Sequence, residues 1–204
     1  MAEYRYVVVE GPMGVGKRQL AERLAERWGM RLVPDPLDDN PFLDRFLQGQ
    51  PALAFATQTH SLTGRADVAR RMLKGELLAE PVVSDFLFER DALFAELVLD
   101  EAEHALYRRL AQAFLPEYPV PDLVIYLQPE LERSLARLAD LGAPQGLVES
   151  SHAAYSAFFH RYERAPLLIV NADHVDLASD EDFELLLRCI SDMRGQRSYF
   201  NKAV

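Results

Sequence analysis

The sequence predicts an α/β fold in which a five-stranded parallel sheet carries helices on both faces. Three observations predict it. Short aliphatic or β-branched runs without polar alternation recur along the chain, as strands buried on both faces require. Stretches with apolar residues at helical spacing lie between them. No repeat, low-complexity segment or linker divides the 204 residues, so 1–204 reads as one domain.

Tyr4 to Glu10 is a β-branched and aromatic run ending at Gly11-Pro12, a buried strand followed by a loop. From Lys17 to Trp28, Leu20, Ala21, Leu24 and Ala25 recur on one helical face. Arg31 to Val33 is a short second strand, closed by Pro34 and Pro36. Asn40 to Leu47 reads as a small helix capped by Asn40, with Pro41 at its first position. Pro51 to Leu78 forms a long, Ala-rich helical stretch. Pro81 to Ser84, Leu123 to Leu127 and Leu167 to Val170 supply strands three to five. Helices fill Glu101 to Phe114, Pro129 to Leu141, Val148 to Arg164 and Asp180 to Met193. In such a sheet ligands bind at the carboxyl ends of the strands. The residues from Gly11, Asp35, Asp85 and Gln128 onward therefore open on one edge.

Composition narrows the partners. Hydrophobic residues at 49% and charged residues at 26% are near the globular average, which argues against disorder. No apolar run approaches the roughly 18 residues that cross a bilayer, and the start shows neither a basic nor an apolar leader segment. The single Cys189 forms no internal disulfide, and the expected location is cytoplasmic. With 22 Lys+Arg against 32 Asp+Glu, the net charge is −10. Basic residues come at most in pairs, Arg70-Arg71 and Arg108-Arg109, which is a solvated helix face rather than a nucleic-acid stripe. His60, His104, His152, His160 and His174 show no metal-ligand spacing and read as structural or solvated. Tyr155, Phe158, Phe159 and Tyr162 read as helix core or subunit contact.

An acidic chain still holds a small anion where backbone amides and a lysine converge. Gly11-Pro12-Met13-Gly14-Val15-Gly16-Lys17 has that form between strand and helix. Glycines let successive N–H groups face an anion, the helix N-terminus adds partial positive charge, and Lys17 reaches the β and γ phosphates. The next residue breaks the phosphate-loop pattern. The motif places Ser or Thr there to bind the magnesium of Mg-ATP, and this chain has Arg18, a donor without acceptors. Either its side chain swings into solvent, or its guanidinium supplies charge where a cation would sit.

Beyond the loop, further segments fall in one order: Pro34-Asp35-Pro36-Leu37-Asp38-Asp39-Asn40-Pro41-Phe42-Leu43, Phe55-Ala56-Thr57-Gln58-Thr59, Val82-Val83-Ser84-Asp85-Phe86-Leu87-Phe88, Pro121-Asp122-Leu123-Val124-Ile125-Tyr126-Leu127 and Asn171-Ala172-Asp173. In these the chain resembles the deoxynucleoside kinase family, particularly its bacterial deoxyadenosine/deoxyguanosine-kinase-like branch, over nearly its whole length. The resemblance implies a P-loop kinase-type three-layer fold, a role in nucleotide salvage and ATP-dependent phosphorylation of a deoxynucleoside 5′-hydroxyl. It also implies a homodimer. It places Asp35 where a carboxylate, usually Glu, accepts the hydroxyl proton. Gln58 matches a base-reading glutamine, whose carboxamide offers both donor and acceptor. Arg65, seven residues on and on the same helical face, matches a second base-side residue. Phe55 and Leu62 share that side, against the base or the core. Asp85 matches an acidic residue near the magnesium. Where many members then carry arginine, this chain has Phe86, with Arg90 as a substitute. Of the arginine-rich lid, Arg137 remains, with Arg133 one turn earlier. Asn171 to Asp176 corresponds to the adenine-side loop.

Three functions stay open at this point. A working kinase follows from the loop, Lys17, Asp35, Gln58, Arg65 and Asp85. A catalytically weak or inactive relative that binds nucleotides or partners follows from Arg18, the arginine-poor lid and the shortened base. A nucleoside monophosphate kinase fits less well, because the acceptor side carries Asp35, Asp38 and Asp39 where a second phosphate needs basic residues.

Overall fold

β1 (Tyr6–Glu10) lies at the centre of the sheet and is buried along its whole length. In this computed structural model, which describes residues 4–139 and 142–202, Val7 is flanked by Val83 of β3 (Val82–Ser84) and Leu123 of β4 (Leu123–Gln128). β2 (Arg31–Val33) extends the sheet beyond β3, and β5 (Leu167–Asn171) extends it beyond β4. The order is β2-β3-β1-β4-β5-β6, with every described neighbour pair parallel.

β6 (Arg197–Phe200) makes six strands where the sequence predicts five. Its Arg-Ser-Tyr-Phe sequence has no apolar run, because an edge strand is covered on one side only. Arg197 compensates locally, donating to the His160 and Tyr162 carbonyls at 2.9 Å each.

The eight helices of the described residues are α1 (Lys17–Trp28), α2 (Leu43–Leu47), α3 (Ala54–Leu73), α4 (Arg90–Val98), α5 (Glu101–Phe114), α6 (Leu131–Ala139), α7 (Gln145–His160) and α8 (Asp180–Asp192). α4 has no counterpart in the sequence reading, although Arg90, Asp91, Phe94 and Ala95 are buried at helical spacing. The Ala-rich stretch is shorter than expected. A 3₁₀ turn over Pro51–Leu53 precedes α3, and residues 74–78 turn away from it. Asn40 does not cap a helix beginning at Pro41. Its side chain accepts the Phe42 N–H at 3.0 Å and donates to the Thr57 carbonyl at 2.9 Å, tying this turn to α3. The end of the helix expected to reach Leu141 lies outside the described residues.

Strand alternation sends residues to two cores. On one face Tyr6, Val8, Val124 and Tyr126 pack with Phe86, Tyr155 and Phe159, and the Tyr126 and Phe159 rings stack at 4.0 Å. On the other, Val7, Val9, Ile125 and Leu127 pack with Leu20 and Leu24 of α1 and Leu186 of α8. The chain leaves β1 for β2, which lies beyond β3, and the later strands run to the other side. β1 is thus the point of reversal, and the loop after it opens into the crevice where such sheets bind ligands.

Candidate active site

The loop after β1 is a tight cradle. A Cβ at Gly11 would stand 2.6 Å from the Leu127 carbonyl oxygen, so only glycine lets β1 and β4 close at this point. Gly16 caps α1 with φ 98°, a left-handed conformation that turns the chain into the helix. Glu10 is buried beneath the loop. Its carboxylate accepts the Gly11 and Leu87 N–H groups, each at 2.8 Å, and joins the loop to the segment after β3. Lys17 folds over the cradle, its Nζ 2.9 Å from the Gly11 carbonyl and 3.8 Å from Glu10. Burial, reinforced by the nearby Arg90 guanidinium, lowers its pKa to about 8 against the pull of Glu10, Asp35 and Asp85.

Two recesses adjoin this loop. Gly14, Val15 and Gly16 line a wide pocket of about 570 Å³ with Arg133, Arg137, Asp173 and Lys202. Arg137 Nη1 donates to the Gly14 carbonyl at 3.1 Å, and Arg133 donates to the Asp173 carbonyl at 2.6 Å. Asn171 ends β5, and its side chain accepts the Asp173 N–H at 3.0 Å. Met13, expected on the nucleotide side, faces the opposite recess. That cleft is nearly closed, with free space of about 10 Å³, and is lined by Met13, Phe46, Gln58, Arg65, Arg90 and Phe94 among others.

A buried ion network floors the second cleft. Arg65 on α3 donates to both oxygens of Asp35, at 3.0 and 2.9 Å, and to Asp91 on α4. Arg90 also donates to Asp35. Burial alone would raise the Asp35 pKa, but Arg65 and Arg90 outweigh it and hold the carboxyl at about 2. Arg90 stays firmly charged although buried, because Tyr155, Asp35 and Glu10 surround it. The Nε atoms of Arg65 and Arg90 are buried with no protein partner.

Gln58, Arg65 and Arg90 come together on this cleft, with Asp35 behind the two arginines. Phe55, for which both base and core contacts were expected, is half-buried and packs on Leu62, Ala95 and Tyr107. Sequence reading also missed Asp91 and Phe94, because α4 was missed. Their burial spacing with Ala95 was the available signal.

Asp85 closes the arrangement. Its Oδ1 accepts the Asp35 N–H at 2.6 Å and its Oδ2 accepts Arg18 Nε. Protein-held magnesium takes carboxylate and hydroxyl oxygens, and in this loop type the hydroxyl follows the lysine. Here that residue is a cation, and both Asp85 oxygens are engaged, one by Arg18 and one by the Asp35 N–H. These residues do not fit the magnesium ligand set that the loop motif implies.

A phosphate-type cradle beside a cleft lined by Gln58, Arg65 and Arg90, both on one sheet edge, matches the comparison with known families. The deoxynucleoside kinase model matches residues 7–192. The chain belongs to the deoxynucleoside kinase family. Among curated relatives, a Bacillus subtilis (strain 168) deoxyguanosine kinase is 25% identical over 203 residues, covering 92% of this chain and 97% of its own. A deoxyadenosine/deoxycytidine kinase of the same organism is 27% identical over 189 residues, covering 86% of each chain. The fold is similar to that of deoxyadenosine kinase from M. mycoides with products dCMP and a flexible dCDP bound. The TM-score is 0.76 at 19% identity, over 92% of this chain and 100% of that one. Family membership agrees with the sequence reading of a phosphotransferase.

Proposed function

We propose that this chain transfers the γ-phosphoryl group of ATP to the 5′-hydroxyl of a deoxynucleoside. One observation carries the reading: the Gly11–Lys17 loop is the shared wall of two recesses, with Gly14–Gly16 on one and Met13 on the other. A triphosphate in the wide pocket ends where the second cleft begins, as direct transfer requires.

In this reading the loop amides and Lys17 bind the phosphates, with Arg137 above them and Asn171 and Asp173 on the adenine side. Gln58 and Arg65 read the base, and Asp91 fixes Arg65. Asp35 takes the hydroxyl proton as the bond from the 5′-oxygen to phosphorus forms and the bond to the leaving diphosphate breaks. A carboxyl held near pKa 2 is a weak base. Its larger contribution is orientation of the hydroxyl, because phosphoryl transfer depends chiefly on positioning and charge stabilisation. Arg90 meets the transferring charge in place of an arginine at position 86. The acceptor is an uncharged nucleoside, because Asp35 and Asp91 balance Arg65 and Arg90 and leave no net positive charge for a monophosphate.

The same reading takes 1–204 as one cytoplasmic domain that forms a homodimer. Exposed Leu73 on α3, with Leu106 and Phe114 on the adjacent α5, supports the association. No described helix is long and apolar enough to cross a membrane.

The test is calorimetry with deoxyadenosine, deoxyguanosine and deoxycytidine, followed by an ADP-release assay on each binder. ADP release that depends on a deoxynucleoside and collapses in Gln58→Ala is expected. Nucleotide binding without turnover would establish the inactive relative instead.

A further inference from the structure

β6 carries the chain back to the wide pocket. The strand ends at Phe200, and two residues later Lys202 lines the same recess as Gly14, Val15 and Gly16. This lysine lies beyond residues 7–192, which the family model matches. Its Nζ donates to Asp182 Oδ1 at 2.5 Å. Asp182 stands in the first turn of α8 with its side chain 3% exposed, while the Lys202 side chain keeps 39% of its surface open. The other Asp182 oxygen accepts the Asp176 N–H at 2.8 Å, so the backbone fixes this carboxylate on its second side. An ammonium has three N–H groups, and Asp182 takes one of them. Carboxylates weigh on the pocket: Asp173, Asp176 and Asp182 line it, against Arg133, Arg137 and Lys202. With Lys202 these six charges cancel. Without it the lining is net negative and repels a polyanion.

We propose that Lys202 is the countercharge through which the wide pocket admits a triphosphate, with Asp182 as the residue that positions it. This rests on the reading of that pocket as the donor site. The segment after β6 is thereby part of the donor site, although it lies outside the phosphate loop and the loop after β5. Lys202 acts by charge, so its contribution belongs to the phosphate chain of the donor and not to its base.

The experiment is calorimetric titration with ATP, with inorganic tripolyphosphate and with deoxyadenosine, in one magnesium-containing buffer at low salt. Lys202→Met should weaken ATP and tripolyphosphate alike, by about 5–10-fold, and leave deoxyadenosine unchanged. The ratio should fall below about twofold in 1 M salt, where the Debye length is about 3 Å. Lys202→Arg keeps the charge and should bind ATP within about twofold of wild type. Lys202→Met combined with Asp182→Asn removes both charges at similar shape and should recover most of the lost affinity. A Lys202→Met protein that binds ATP within about twofold of wild type at low salt would overturn the inference and leave the donor site standing. So would a loss seen with ATP but not with tripolyphosphate, which would make the lysine a support for the base-side loop only. An arginine variant as weak as the methionine variant would count against it equally. Absence of ATP and tripolyphosphate binding in the wild type would overturn the donor-site reading itself.

Discussion

Asp35→Asn keeps the shape of the side chain and removes its charge from between two buried guanidinium groups. The carboxyl is held at about 2 in the folded chain by Arg65 and Arg90, against an ordinary value of 3.8. That difference corresponds to about 2.5 kcal/mol of folding free energy at neutral pH, or about 60-fold in the folding equilibrium. The unfolded chain binds the proton more readily, so the contribution is complete above the unfolded value and is lost as pH falls toward the folded one. At pH 3 roughly half of it remains. Leaving Arg65 and Arg90 underpaired in a buried site adds to the loss. Urea unfolding followed by far-ultraviolet circular dichroism at pH 7, 5, 4 and 3 measures it. The variant should be less stable by at least about 2 kcal/mol at pH 7, with the gap from wild type narrowing at low pH. A gap under about 1 kcal/mol at pH 7, or one unchanged down to pH 3, would refute the ion-network account.

Two further outcomes follow from the loop. Lys17 is about half protonated at pH 8, so triphosphate binding there should take up about half a proton. Calorimetry in buffers of different ionisation enthalpy should detect this uptake, which should vanish near pH 6.5 and in Lys17→Met. Gly11→Ala drives a methyl group against the Leu127 carbonyl and should lower Tm by about 5 °C. Gly146→Ala, in open space on α7, should raise it by about 1–2 °C.

The central strands were legible because burial on both faces leaves an apolar run that nothing else in a globular chain imitates. β6 escaped because its edge position lets Arg197 and Ser198 occupy strand sites. The cradle was legible because its glycines and lysine must occur in order along the chain. The ion network was not, because Asp35, Arg65, Arg90 and Asp91 come from three separated segments and meet only when α3 and α4 pack. Position 18 shows both limits. Sequence alone showed that the metal ligand was missing, but only the fold shows that the guanidinium reaches Asp85.

The four buried charges beneath the acceptor cleft also constrain how this molecule can vary. Exchanging any one of them alone leaves an uncompensated ion in a dry site, a loss of about 3–5 kcal/mol that consumes much of a domain's stability. A mutational path through this floor must pass in coupled pairs, which are rare steps. Gln58, Phe46 and Phe94 line the same cleft outside the network and can change singly. New acceptor preferences in descendants of this sequence should therefore arise first at the uncharged wall, with the charged floor inherited as a unit.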